Sequence, residues 1–163
     1  MIVVADTSPL TALLHLQQTE LLNKLYGHVY IPSVVAKEMN SLISFGYDVS
    51  FLQNKNSYTI STAADTLLIE SLSEYLDAGE AEAIALAKEL NADLLLIDEK
   101  PGRQFAEKNA ITCKGIVGVL IEAKLKGYLP AIKPLLNTLL ADLKFRLAPS
   151  IYRLALEKAG EAE

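Results

Sequence analysis

Short apolar runs that each end on a polar turn alternate along this chain with stretches of helical spacing. The first run, residues 2–5, predicts a strand that stops at Asp6. Ser8 reads as a helix N-cap, with Pro9 in the first helical position, for a helix reaching Leu16. A second helix is expected over about 19–26, where Gly27 is a stop signal. Residues 29–31 predict a second strand, and Pro32 then opens a helix carrying Val34, Val35, Glu38 and Met39. Residues 44–57 show no period and read as a loop or a short variable insert before a third strand at 58–60. Over 63–76, Leu67, Leu68, Leu72 and Leu76 fall on one side of a helix. Asp77 and Gly79 precede a helix over 80–90, and the run at 94–97 is apolar throughout, as in a central parallel strand covered on both faces. A helix at 101–108, a strand at 110–113 and helices at 115–126, 131–143 and 150–159 complete the pattern. Strands alternating with helices imply an α/β fold built on a short central parallel sheet. The C-terminal helices, about 115–159, are expected to pack on it or to form a partner surface. No repeat or linker divides the chain, and residues 1–163 suit a single domain.

Composition narrows the class. At 51 % apolar residues the chain is rich enough to bury a core, which excludes a disordered polypeptide. Its apolar runs are far shorter than a membrane span. The opening MIVVADTSPL has no basic stretch, so no signal peptide is expected. Cys113 has no second cysteine to pair with. It reads as a small buried hydrophobe in a protein of the reducing cytoplasm. The net charge of −5 argues at first against a nucleic-acid partner. Its distribution changes that picture: residues 1–99 carry 14 acidic and 4 basic side chains, residues 100–163 carry 6 and 11. Such polarity fits an acidic centre beside a phosphate-binding surface, and equally fits uneven solvation of surface helices.

The acidic residues at element ends carry the chemistry. In a parallel sheet, groups at strand C-termini and at neighbouring helix N-termini meet along one edge. Asp6 and Asp98 each end an apolar run, and Glu80 opens a helix. Carboxylates packed together repel and raise each other's pKa unless a cation joins them. A divalent-metal pocket serving phosphodiester chemistry is therefore the first expectation. Asp6 as a helix cap is the bland alternative, but Ser8 is better placed for that job. Glu80 and Glu82 lie about 200° apart on a helix. Glu80 heads an apolar stripe with Ala83, Ile84 and Ala87, whereas Glu82, with Ala85 and Glu89, reads as facing solvent. Glu38, beside Lys37, alone also reads as solvent-facing. Glu99 either shares the site of Asp98 or faces away. Lys100 and Arg103 are candidates for holding a phosphate, or simple surface charge. His15 and His28 have no metal-ligand spacing, and no G-x-S-x-G, P-loop or G-x-G-x-x-G is present.

Four segments in order, VVADTSPLTAL, IPSVVAKEM, LDAGEAEAIALAKEL and LLLIDEKPGRQFA, resemble the PIN domain. They are most similar to predicted nucleic-acid-binding proteins of that type related to VapC toxins. The likeness spans nearly the whole chain and reaches into KGIVGVLIEAKLKGYLPAIKPLLNTL. It implies a three-layer α/β/α fold whose acidic pocket binds Mg²⁺ or Mn²⁺ and cleaves RNA. By motif position it implies catalytic roles for Asp6, Glu38, Glu80 and Asp98, with Asp6, Glu80 and Asp98 on the metal. Thr7 or Ser8 would be the hydroxyl companion, Glu82 and Glu99 supporting acids, and Lys100 and Arg103 phosphate contacts. It further implies a toxin opposed by an antitoxin protein, and a homodimer. Two departures stand out: the third acid is glutamate where aspartate is usual, and Lys100 replaces the customary acid or Asn two residues after Asp98. A binding module with a relic pocket is the competing expectation. A small-molecule phosphatase is another, although no D-x-D-x-T motif supports it.

Overall fold

Strands of two to four residues suffice for this sheet because the central ones are apolar at every position and covered on both sides. In the computed structural model, which describes residues 1–162, β1 (Val3–Ala5), β2 (Val29–Pro32), β3 (Tyr58–Ser61), β4 (Leu94–Leu96) and β5 (Cys113–Lys114) form one sheet in the order β3-β2-β1-β4-β5. Every pairing is parallel. The strands are linked and followed by α1 (Thr7–His15), α2 (Leu21–Tyr26), α3 (Ser33–Asn40), α4 (Thr66–Ser73), α5 (Ala78–Glu89), α6 (Lys100–Lys108), α7 (Ile116–Leu125), α8 (Lys133–Asp142) and α9 (Pro149–Lys158). The pleat sorts the strand side chains. Val3, Ala5, Leu94 and Leu96 enter a core shared with α1, α2, α3, α7, α8 and α9. Val4, Leu95 and Ile97 enter the opposite core, with α4, α5 and α6. This is the three-layer α/β/α arrangement expected. Among the described residues no helix is long and apolar enough to cross a membrane.

Several local expectations need correction. The N-cap of α1 is Asp6, not Ser8: the helix begins at Thr7, because the extended backbone of Asp6 (φ −83°, ψ 171°) already ends the strand. Residues 44–57 are not a plain loop, since 3₁₀ turns occupy Ser41–Phe45 and Ser50–Gln53, the second burying Leu52. α4 is shorter than the apolar period suggested, because the Asp65 carboxylate accepts from Leu68 N and fixes its start. Leu67 is 78 % exposed, while Leu72 and Leu76 are buried. It precedes Leu68 by about 100° of helical turn, enough to leave the buried stripe. β5 falls at Cys113–Lys114, where it registers with Leu95 and Leu96, rather than at 110–113. Cys113 is only half-buried.

Glu82 is the largest correction. Nine successive residues of α5, Gly79–Ala87, are buried, because α5 is wedged among α3, α4, α6 and the strands β1, β2 and β4. Beyond the exposed first residue, Ala78, no side of the next two turns faces solvent. Glu82 accepts hydrogen bonds from Ser33 Oγ and Val34 N, both at 2.8 Å, and so fixes the start of α3. Its charge also sits at the positive end of that helix. α3 in turn carries Glu38. Glu82→Ala leaves a half-buried hydroxyl and a half-buried backbone N–H unpaired, so it should cost about 1–2 kcal/mol. For a chain of this size that is about 2–4 °C in Tm per kcal/mol, read by thermal unfolding. A variant as stable as the parent would contradict the link.

Candidate functional site

Strand register builds the site. Ala5 of β1 pairs with Leu96 of β4, and Asp6 N donates to Leu96 O at 2.9 Å. Asp6 therefore leaves the sheet at the same edge as Asp98. Ile97 N is held by Lys114 O at 3.0 Å on the other side, which keeps β4 straight until Asp98 turns away. The Asp98 carboxylate then accepts from Ile116 N at 2.8 Å and starts α7. Glu80 arrives from the first turn of α5, whose N-cap Asp77 accepts from Glu80 N at 2.9 Å. Glu38 comes from α3, where its carboxylate accepts from the Thr7 hydroxyl.

Three glycines let these carboxylates approach the backbone. A Cβ on Gly79 would stand 2.6 Å from a Glu38 oxygen, one on Gly102 2.7 Å from Glu80 Oε2, and one on Gly115 2.6 Å from Asp98 Oδ1. A side chain at any of the three would push a carboxylate aside.

Electrostatics separates these acids from ordinary surface groups. Asp6 and Glu80 are buried, and Asp98 is half-buried. Three of their oxygens, Asp6 Oδ1, Glu80 Oε2 and Asp98 Oδ2, are buried with no hydrogen-bond partner among the described residues. Burial pushes Asp6 up to about 7; the Thr7 N–H opposes this, and the Asp77, Glu38 and Asp98 carboxylates add to it. Burial, then Asp77, Glu99 and Asp6, raise Glu80 to about 8. Burial raises Asp98 to about 6 against the pull of the Ile116 N–H and the Arg103 guanidinium. Acids from four segments thus share one field. Oxygen-only donors with unused lone pairs suit a hard divalent cation. Among the described residues, no three acidic, histidine or cysteine side chains stand in a ready-made ligating group. The fit lies in donor type and unmet lone pairs, not in a closed coordination shell.

The structure gathers Asp6, Glu38, Glu80 and Asp98, with Thr7 bound to Glu38. Glu82 is not among them; it is committed to α3. Glu99 is exposed at the N-cap of α6 yet raises both Glu80 and Asp98. Lys100 is exposed at the first position of α6, and Arg103 lies near enough to Asp98 to favour its charged form. Asp77 was missed as part of this field. The D-A-G-E spacing, a capping-box pattern, is the signal that places its carboxylate beside Glu80. His15 bonds instead to Tyr47 (2.7 Å) and Asp142 (2.8 Å).

Comparison with known proteins agrees with this architecture. The family model described as DUF3368, PIN domain, matches residues 2–161. Among solved structures, a PilT N-terminus domain protein from the hyperthermophilic archaeon Sulfolobus solfataricus P2 superposes with a TM-score of 0.57. It is 21 % identical, over 76 % of this chain and 93 % of that one. No curated protein matches the chain.

The raised pKa values set a pH dependence for the metal-free protein. An acid whose pKa is higher folded than unfolded stabilises the fold below its unfolded pKa and stops doing so as pH rises through its folded value. For Asp6, Glu80 and Asp98 that window runs from about pH 4 to about pH 8. In EDTA, stability should fall across it, and Asp6→Asn should melt higher than the parent at pH 8 but not at pH 4.5. Parallel pH profiles for the two proteins would contradict the burial of Asp6 as a strained acid.

Proposed function

The chain belongs to the PIN-domain family, a nuclease-type fold whose members are generally divalent-metal dependent, and from that premise we propose that it is a metal-dependent endoribonuclease. The observation that carries the reading is the trio of buried, unpartnered oxygens on Asp6, Glu80 and Asp98 at one sheet edge. Those three residues are the ones that would hold Mg²⁺ or Mn²⁺. When bound, such an ion polarises the phosphodiester and lowers the pKa of an attacking water. Asp98 also carries its Ile116 N–H bond, which fixes its orientation and leaves Oδ2 for the site. Glu38, oriented by the Thr7 hydroxyl, holds the attacking water as a hydrogen-bond acceptor. Ser8 lies one residue further along α1 as the alternative hydroxyl. Glu80 rather than Glu82 is the third acid, because Glu82 is spent on Ser33 and Val34. The longer glutamate fits where the Cα of Gly102 leaves room for its carboxylate. Glu99 supports by charge, and Arg103, with Lys100 behind it, attracts the scissile phosphate.

The same reading includes a toxin role, an antitoxin partner and a homodimer, which rest on the motif resemblance drawn from the sequence alone, and a cytoplasmic location, which rests on the lone Cys113. A non-catalytic module has one feature in its favour, Lys100 in place of the usual second acid. A cleavage assay on single-stranded RNA in Mn²⁺ separates the two. The parent should cleave and EDTA should stop it. Thr7→Val should lose up to about 100-fold, the lower end of what a positioned acid–base group contributes, because Glu38 loses the hydroxyl that orients it, and Asp6→Asn should lose more. Equal residual activity in parent and Asp6→Asn would overturn the nuclease reading.

A further inference from the structure

Asp98 is also the acidic end of a separate cleft of about 320 Å³, bounded by α6, β5, α7 and the segment that joins α8 to α9. Its lining includes Arg103, Lys114, Phe145 and Arg146 and, among the described residues, no acid besides Asp98. Lys114 is neutralised by Glu122 at 2.7 Å. Arg103 and Arg146 are exposed and in no ion pair among the described residues. Two guanidinium groups outside any ion pair, Arg103 also attracting the Asp98 carboxylate, therefore face a concavity whose remaining wall is apolar: half-buried Phe145 with Val117, Leu147 and Ile151. The thiol of Cys113 in this wall is pushed up to about 11 by burial, so it is an inert neutral group and not a nucleophile. Lys144, just before Phe145, has φ +51°. A lysine in the left-handed region is an unfavourable backbone state that persists only where the surroundings impose it. The three residues that follow it, Phe145, Arg146 and Leu147, line the cleft.

The volume lies at the small end of ligand sites, about 300–1,000 Å³, too small for a duplex. The chemistry asks for an occupant with anionic groups for two planar forks and a flat apolar face for an aromatic ring. We propose that this cleft seats one nucleotide of single-stranded RNA next to the scissile phosphate, with Arg103 and Arg146 on its phosphates and Phe145 against its base. The position beside the scissile bond rests on the nuclease reading; the RNA contact itself does not. Arg146 and Phe145 come from the C-terminal part of the chain, so α8 and α9 serve to bring a substrate wall to the acidic edge.

The test is binding, measured by fluorescence anisotropy with a labelled single-stranded oligoribonucleotide in Mg²⁺, on full-length protein carrying Asp6→Asn. Arg146→Ala and Arg103→Ala should each lower the slope of log K against log[salt] by about 0.7, the value for one single-strand phosphate contact. Arg146→Lys should keep that slope. Phe145→Leu should weaken binding about 5-fold or more with the slope unchanged. Lys55→Ala, beside the opposite edge strand β3, should match the parent. An unchanged slope and affinity for Arg146→Ala would overturn the proposal and leave the cleft to an acidic protein segment. An equal loss for Lys55→Ala would overturn it as well, as non-specific attraction. Failure of the nuclease reading would show instead as absent cleavage by the parent, with this binding pattern intact.

Discussion

One backbone constraint governs this molecule: β1 and β4 run parallel and in register, so the chain after Ala5 and the chain after Leu96 emerge side by side. The bond from Asp6 N to Leu96 O fastens that exit. Everything acidic at the site depends on it. Residues more than ninety positions apart reach one edge because two short apolar runs end there, and an open parallel sheet puts its ligand crevice at that edge. Burial then does the rest. It raises Asp6, Glu80 and Asp98 to about 7, 8 and 6, values at which carboxylates no longer behave as ordinary surface anions.

The acids divide into two kinds. Glu82 and Asp77 meet backbone N–H groups at helix starts, and their charge is used in holding α3 and α5. Asp6 and Glu80 retain oxygens with no partner among the described residues, and Asp98 does both, starting α7 with one oxygen and leaving the other unmet. Native proteins rarely leave buried polar atoms unpaired. Three such atoms at one sheet edge are a cost of folding that a bound cation would offset. The glycines at 79, 102 and 115 belong to the same arrangement, since each lets a carboxylate rest against the main chain.

Much of this was legible in the sequence. The alternation of apolar runs and helical spacing gave the α/β class, and the apolar run ending at Asp98 correctly marked a central strand. Asp6, Glu80 and Asp98 stood out because each terminates or opens an element. What escaped were features fixed by tertiary contact. Helical periodicity placed Glu82 in solvent, and it failed because α5 is enclosed on all sides, so spacing alone had no exposed face to find. Ser8 looked the better cap because Pro9 followed it, but the strand end at Asp6 set the boundary first. β5 is only two residues long, and its register with β4, not its composition, selects Cys113–Lys114. Arg146 and Phe145 carry no local signal that ties them to Asp98, some fifty residues earlier; the packing of α7 to α9 brings them there.

The central claim is that these carboxylates form one cation-binding centre. The most direct measurement is anomalous diffraction from a crystal soaked in Mn²⁺. The account predicts an anomalous peak in direct coordination with Asp6 and Asp98, with Glu80 completing the same site. Full Mn²⁺ exposure with no peak at that edge, and Asp6, Glu80 and Asp98 holding separate positions, would contradict it.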